Sequence, residues 1–167
     1  MDRRNFMALA SAGERRMVQW PGHFPAGKVV EAPVSSLDIF ATAVGLVGAK
    51  PDRAIDGVNL VPFLTGKTDT RPPDALFWRS GPNKGVRKGK WKYINLNDKR
   101  TFLFDLKTDI GEHTDLAKEN PQMVKELEQT LAEWELQLVA PLWPSRRILK
   151  ISLKPYGLGD ETYDFPI

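Results

Sequence analysis

Residues 75–105 alternate apolar and polar side chains in short runs broken by tight turns, and this stretch constrains the fold most. The alternation predicts strands over 75–79, from 85–87 onward, over 90–94 and over 101–105. Lys88-Gly89 predicts a tight turn, because Gly tolerates the positive φ that a two-residue hairpin requires. Residues 95–100 predict a polar turn. Strands this close in sequence imply an antiparallel meander. Its apolar face needs a cover, and the following segment supplies one. Asn120 is a favoured N-cap type and Pro121 suits the first helical position. Val124, Leu127, Leu131, Trp134 and Leu138 recur at three and four. They form one apolar stripe, with Lys125, Glu126, Glu128, Glu133 and Glu135 mostly off it. The spacing predicts a helix across one sheet face, stopped by Pro141 and Pro144. The tail from Arg146, with Tyr156, Tyr163 and Phe165, is expected to pack back as an extended arm.

The first half of the chain reads differently. Residues 17–20 predict a short buried strand, ended by Pro21-Gly22. Residues 35–47 predict a helix, with Ser35 and Asp38 spaced like a capping box in which Asp replaces Glu or Gln. Leu37, Ile39, Phe40, Ala41, Ala43, Val44, Leu46 and Val47 cover most of its circumference, the pattern of a helix buried in a larger body. Gly48 suits its C-terminal cap. Residues 49–74 predict a long connection with one apolar piece over 58–64.

Composition excludes more chemistry than it suggests. The 167 residues contain no Cys, which removes disulfides, thiolate metal sites and a Cys nucleophile from this chain. The net charge of +3 carries little information about partners. No apolar run reaches the ~18 residues of a membrane helix, so no span is predicted. His23 and His113 stand far apart, and the nucleotide-loop and nucleophile-elbow motifs are missing. The acids of 52–59 lack the alternation of a calcium loop, so Asp56 is expected to cap and Gly57 to supply positive φ. Asp109, Glu112 and Asp115 are expected to build a turn rather than a catalytic cluster. The basic hairpin 87–93 offers the alternative reading, a non-enzymatic module that binds a polyanion. Strand alternation puts Trp91 and Tyr93 on one face and Lys90 and Lys92 on the other, which favours a structural role over nucleic acid. Residues 1–12, with Arg3-Arg4, Phe6 and a short apolar run to Ala12, resemble a truncated twin-arginine export signal. A working signal implies a periplasmic or extracellular protein, and otherwise a cytoplasmic one.

The order of segments resembles a known family. Trp20-Pro21-Gly22 precedes Ala32-Pro33-Val34-Ser35-Ser36-Leu37-Asp38-Ile39-Phe40-Ala41-Thr42 and Gly48. Asp56-Gly57-Val58-Asn59-Leu60-Val61-Pro62-Phe63-Leu64-Thr65-Gly66 follows, then Leu76-Phe77-Trp78-Arg79. Gly85-Val86-Arg87-Lys88-Gly89-Lys90-Trp91-Lys92, Leu103-Phe104-Asp105-Leu106-Lys107-Thr108-Asp109, Glu112, Asp115-Leu116-Ala117 and Pro141-Leu142-Trp143 complete the series. Together they resemble the C-terminal part of a bacterial arylsulfatase-type sulfatase, of the alkaline-phosphatase-like superfamily, over about residues 13–145. Ala41 departs from the family's usual Pro before Thr42.

The resemblance implies an α+β chain: the C-terminal piece of an alkaline-phosphatase-like α/β domain, then a four-stranded antiparallel sheet with one packed amphipathic helix. Residues 1–12 would be the signal-like start, 13–74 the end of the large domain and its connection, 75–145 the small domain and 146–167 the tail. An intact member hydrolyses sulfuric esters with a formylglycine made in a C/S-x-P-x-R motif and with Ca²⁺ or Mg²⁺. The resemblance places that machinery N-terminal to the part present here. Pro144-Ser145-Arg146 has the wrong order for the motif. So it implies no catalytic residue, no metal ligand and no cofactor on this chain, which is expected to be inactive alone. A sulfate ester is implied as substrate only of an intact enzyme, with a missing catalytic domain as partner. Trp78 and Arg79, on the first strand, are the residues expected to border the substrate cleft.

Overall fold

The computed structural model describes residues 18–30, 33–68, 74–140 and 148–166. The chain forms two compact units, Met1–Asp74 and Ala75–Ile167.

The second unit is built on the expected meander. Strands β1 (Ala75–Ser80), β2 (Asn83–Lys88), β3 (Trp91–Leu96) and β4 (Arg100–Asp105) lie side by side in sequence order, each antiparallel to the next. The β2–β3 turn falls on Gly89 and Lys90, one residue later than expected, with Gly89 at φ +58. Asn97 and Asp98 both take φ 54 in the polar turn, a conformation their short side chains tolerate.

Register sorts the sheet into two faces. Phe77, Val86, Tyr93 and Leu103 form one cross-strand row. A helix over Pro121–Glu135, α3 in chain order, lies over that row with Leu127 and Leu131 buried and Met123, Val124 and Trp134 packed beside them. The Trp134 ring stacks on Phe77 at 4.9 Å between centroids. Each fully buried Leu contributes about 1.5–3 kcal/mol, so this stripe fixes the helix to the sheet. Two expectations about the helix ends change. Asn120 occupies the N-cap position, but its Nδ2 donates back to the Leu116 carbonyl at 3.1 Å instead of its oxygen capping the helix. The helix ends at Glu135, while Pro141 and Pro144 lie outside the described residues.

The opposite face carries Ile94, Leu96, Phe102 and Phe104, and the tail covers them. The tail is not an extended arm. Strand β5 (Ile148–Ser152) pairs antiparallel with β6 (Thr162–Pro166), which gives its backbone groups partners that a lone arm lacks. A 3-10 turn over Lys154–Tyr156, followed by Gly157 at φ 71, reverses the chain between them. Leu153, Leu158 and Tyr163 then reach the Phe102–Phe104 row.

The first unit holds two helices, α1 (Leu37–Leu46) and α2 (Val61–Leu64). Asp38 is its fully buried hinge-pin. One carboxylate oxygen accepts the Ser35 N–H at 2.7 Å, and the other accepts the Val58 N–H at 2.9 Å. The expected capping box forms only in half: Asp38 reaches back to the Ser35 N–H, but Ser35 Oγ accepts the Leu37 N–H at 3.3 Å, the Asp38 N–H goes to the Ser35 carbonyl, and Ser36 holds the N-cap position. Gly57 takes φ +88 with its α-carbon against the helix start. A Cβ there would stand 2.5 Å from the Leu37 carbonyl, so only Gly fits. Just before α2, Asn59 Oδ1 accepts the Val61 N–H at 2.9 Å, and Leu60 holds the N-cap position. Thr42 Oγ1 accepts the Leu60 N–H at 3.0 Å and ties α1 to the same segment.

The strand expected over 17–20 is not formed in its described part. Residues 18–20 are irregular, and the Trp20 carbonyl accepts the His23 and Phe24 N–H groups, both at 3.0 Å, in a turn. Met17 lies outside the described residues. A strand needs a ladder partner, and the described residues of this unit contain no other strand. Helix α1 leaves Leu37, Phe40 and Val47 more than half exposed, at 53%, 60% and 77%.

Candidate functional site

Strand alternation decides what the two sequence-nominated residues share. Trp78 pairs across to Gly85 and Arg79 to Lys84, so the neighbours project from opposite faces of β1. Trp78 lies on the face that also carries Ile94 and Phe102, at the β1 side, and is half exposed. A Cβ at Gly85 opposite it would only touch the Trp78 ring, at 4.0 Å, and would crowd the Tyr93 carbonyl at 3.2 Å. Arg79 points to the α3 face, and its guanidinium donates to the Val139 carbonyl at 2.9 Å. It thereby anchors the segment after α3.

The basic hairpin 87–93 is largely neutralised by its own unit. Lys88 reaches Glu126 at 3.0 Å, Lys90 reaches Asp105 at 2.5 Å and Lys92 reaches Glu112 at 2.5 Å. Lys90 also sits over the Trp91 ring at 4.4 Å. Tyr93 is fully buried, its hydroxyl donating to Glu128 at 2.8 Å. Burial first, and then the Glu128 carboxylate, push that phenol well above its ordinary value. Burial lowers the Arg87 guanidinium, partly offset by Glu112. Cations committed to internal carboxylates offer little to a phosphate or sulfate chain. The expected separation of faces holds for Lys92 but not for Lys90: Trp91 and Tyr93 join the α3 core and Lys92 lies on the other face, whereas Lys90 sits in the turn with its ammonium over the Trp91 ring.

The three acids of 109–115 make a turn, as expected. Asp109 accepts the His113 and Thr114 N–H groups, both at 2.8 Å, and those bonds hold its carboxyl below the usual range. Asp115 accepts the Leu103 N–H at 3.1 Å and the Ala117 N–H at 3.0 Å. Glu112 adopts φ 59 with its carboxylate on Lys92. Asp105 is likewise held low, chiefly by Lys90.

These commitments bear on the metal that the family resemblance implies. Among the described residues, no three His, Asp or Glu side chains converge to hold a cation. Asp38 gives both carboxylate oxygens, and Asp109 and Asp115 one each, to backbone N–H groups. The described residues therefore do not form a Ca²⁺ or Mg²⁺ site. The sequence Ser80-Gly81-Pro82-Asn83-Lys84 comes near the formylglycine motif. It has Lys where the motif requires Arg, it crosses the β1–β2 turn, and Lys84 pairs with Glu135 at 3.1 Å.

Comparison with known proteins places this arrangement. No family model matches the chain. N-acetylgalactosamine-6-sulfatase of Sus scrofa is 38% identical over 82 residues, 47% of this chain and 15% of that protein. Choline-sulfatase of Rhizobium meliloti (strain 1021) is 36% identical over 112 residues, 64% of this chain and 21% of that protein. The crystal structure of Ps i-CgsB superposes with a TM-score of 0.62 at 30% identity, over 74% of this chain and 29% of that one. The chain thus spans about a fifth or less of the length of these curated relatives.

Proposed function

The chain is related to the sulfatases over part of its length, and from that premise we propose that it is the C-terminal part of such an enzyme. In this reading residues 13–74 end the large alkaline-phosphatase-like domain, 75–145 form the small domain and 146–167 complete it as a tail. The observation that carries the reading is the four-stranded meander backed by one amphipathic helix, in a chain that matches sulfatases at 36–38% identity. The bare apolar face of α1 supports it too, since a helix apolar all round belongs in a larger body.

The reaction of the whole enzyme is hydrolysis of a sulfate ester, and these 167 residues supply structure to it rather than a nucleophile. They contain no Cys, and their Ser-x-Pro sequence lacks the required Arg. Trp78 stays our candidate for a side chain bordering the substrate, because it is half exposed on an open part of the sheet. Arg79, the other residue expected at the cleft, projects from the opposite face onto the Val139 carbonyl. Export to the periplasm or beyond depends on residues 1–12, which lie outside the described residues.

Two measurements test the reading. The purified chain should release no product from an aryl sulfate above the buffer rate; turnover by these residues alone would overturn its assignment as a non-catalytic part. Sequencing the coding locus upstream of codon 14 should reveal a C/S-x-P-x-R motif and acidic metal ligands. A locus without them removes the sulfatase reading of this gene.

A further inference from the structure

We propose that the tail hairpin is a strap over the sheet, closed by one clasp at Arg100, and that it opens as a unit while the meander stays folded. Strands β5 and β6 pair only with each other, so no ladder joins the strap to the four-stranded sheet. Its backbone is internally satisfied at the turn, with the Leu153 N–H on the Glu161 carbonyl at 3.0 Å and the Leu158 N–H on the Leu153 carbonyl at 3.3 Å. Detaching it therefore strands few backbone groups. Among the described residues, the polar links from strap to sheet converge on Arg100. Its Nη1 pairs with Glu161, and its Nη2 donates to the Leu158 carbonyl at 2.8 Å. Tyr163 donates to the same Glu161 carboxylate at 2.9 Å and orients it. The guanidinium rests on the Phe102 ring at 4.7 Å, which fixes the sheet half of the clasp.

The apolar contact beneath is incomplete. A cavity of about 180 Å³ remains between strap and sheet, bounded by Ile94, Leu96 and Phe104 on one side and Ile151, Leu153 and Leu158 on the other. The cavity opens to solvent, so along it the strap and sheet side chains face water rather than one another. The α3 face buries Val86, Tyr93, Leu103 and Leu127 completely, and the strap face buries Phe102 and Phe104 beside this cavity. The strap is thus held by Leu153, Leu158 and Tyr163 on the Phe102–Phe104 row and by the Arg100 clasp at its edge. Regions with few packed contacts open below the global unfolding free energy.

The test is amide hydrogen exchange by mass spectrometry on the full chain, comparing peptides from 148–163 with peptides from 83–96. In the wild type, strap amides should exchange roughly tenfold or more faster than sheet amides, as expected of a separate opening unit. Arg100→Gln should raise strap exchange by roughly another tenfold and leave 83–96 unchanged. Glu161→Gln removes the ion pair from the strap side and keeps Arg100 on Phe102, so it should give the same selective effect. The double variant should add little to either single change. A common exchange rate for strap and sheet overturns the proposal. So does a variant that loosens both together, or a strap indifferent to both substitutions.

Discussion

The unit Ala75–Ile167 covers both faces of its sheet with its own residues, whereas Met1–Asp74 leaves Leu37, Phe40 and Val47 of α1 open. Both are organised by sound local chemistry. In the first unit a buried Asp38, Gly57 and Asn59 set helix starts and turns. What differs is whether the apolar surface finds a partner. Capping and turn geometry contribute about a kcal/mol each, whereas a buried core contributes that much for every side chain or two. Local order is therefore legible in both units, but independent stability is expected only where the core is complete.

The largest effect should appear when the two stretches are made separately. A chain of residues 75–167 is expected to melt cooperatively by circular dichroism, and one of residues 18–74 to show no cooperative transition. Equal cooperativity would erase the contrast. Within the second unit, Leu127→Ala should cost about 2–5 kcal/mol in urea denaturation, because it empties a fully buried site under α3. Gly57→Ala should act locally in the first unit by about 1–3 kcal/mol, since both its φ of +88 and the Leu37 carbonyl exclude a Cβ. Its signature is loss of exchange protection at the Val58 amide. Phe40→Glu should change stability by no more than about 0.5 kcal/mol while reducing self-association in sedimentation velocity.

The mildest expected effect is electrostatic. Asp105, Asp109 and Glu161 all have carboxyls held below their ordinary range: Asp105 first by Lys90, Asp109 by the Thr114 and His113 amides, and Glu161 by Tyr163 and Arg100. A carboxyl lowered on folding stabilises the native state fully above its unfolded pKa, near ~4. That stabilisation fades as pH falls through the ordinary carboxylate range and is gone below the depressed values. The urea midpoint of the second unit should therefore stay level from neutrality to about pH 5 and drop below it. A midpoint that rises on acidification would reverse the sign.

The sequence exposed whatever repeats over a short distance. Alternation through Phe77, Val86, Tyr93 and Leu103 announced the meander, and the stripe through Leu127 and Leu131 announced its cover. It exposed less where a partner decides. Residues 17–20 read as a strand because their composition suits one, but the described part has no neighbour with which to pair. The tail hairpin stayed hidden for the opposite reason. Its strands are separated by nine residues containing a 3-10 turn, so no two-residue turn signal marks the reversal. As for the candidate site, sequence adjacency grouped Trp78 with Arg79, and only the pleat of β1 shows that they serve opposite faces. Asn120 illustrates the limit of residue preferences: it holds the N-cap position while its amide satisfies Leu116 instead.

The order β1-β2-β3-β4 also bears on how fast this sheet forms. Every ladder joins strands adjacent along the chain, with register partners such as Lys88 and Trp91 only a turn apart. Such low contact order requires little loop closure before contacts begin to stabilise one another, and it goes with rapid folding. A kinetic experiment should therefore find the meander in the fast phase, with the β5–β6 hairpin joining a surface that already exists.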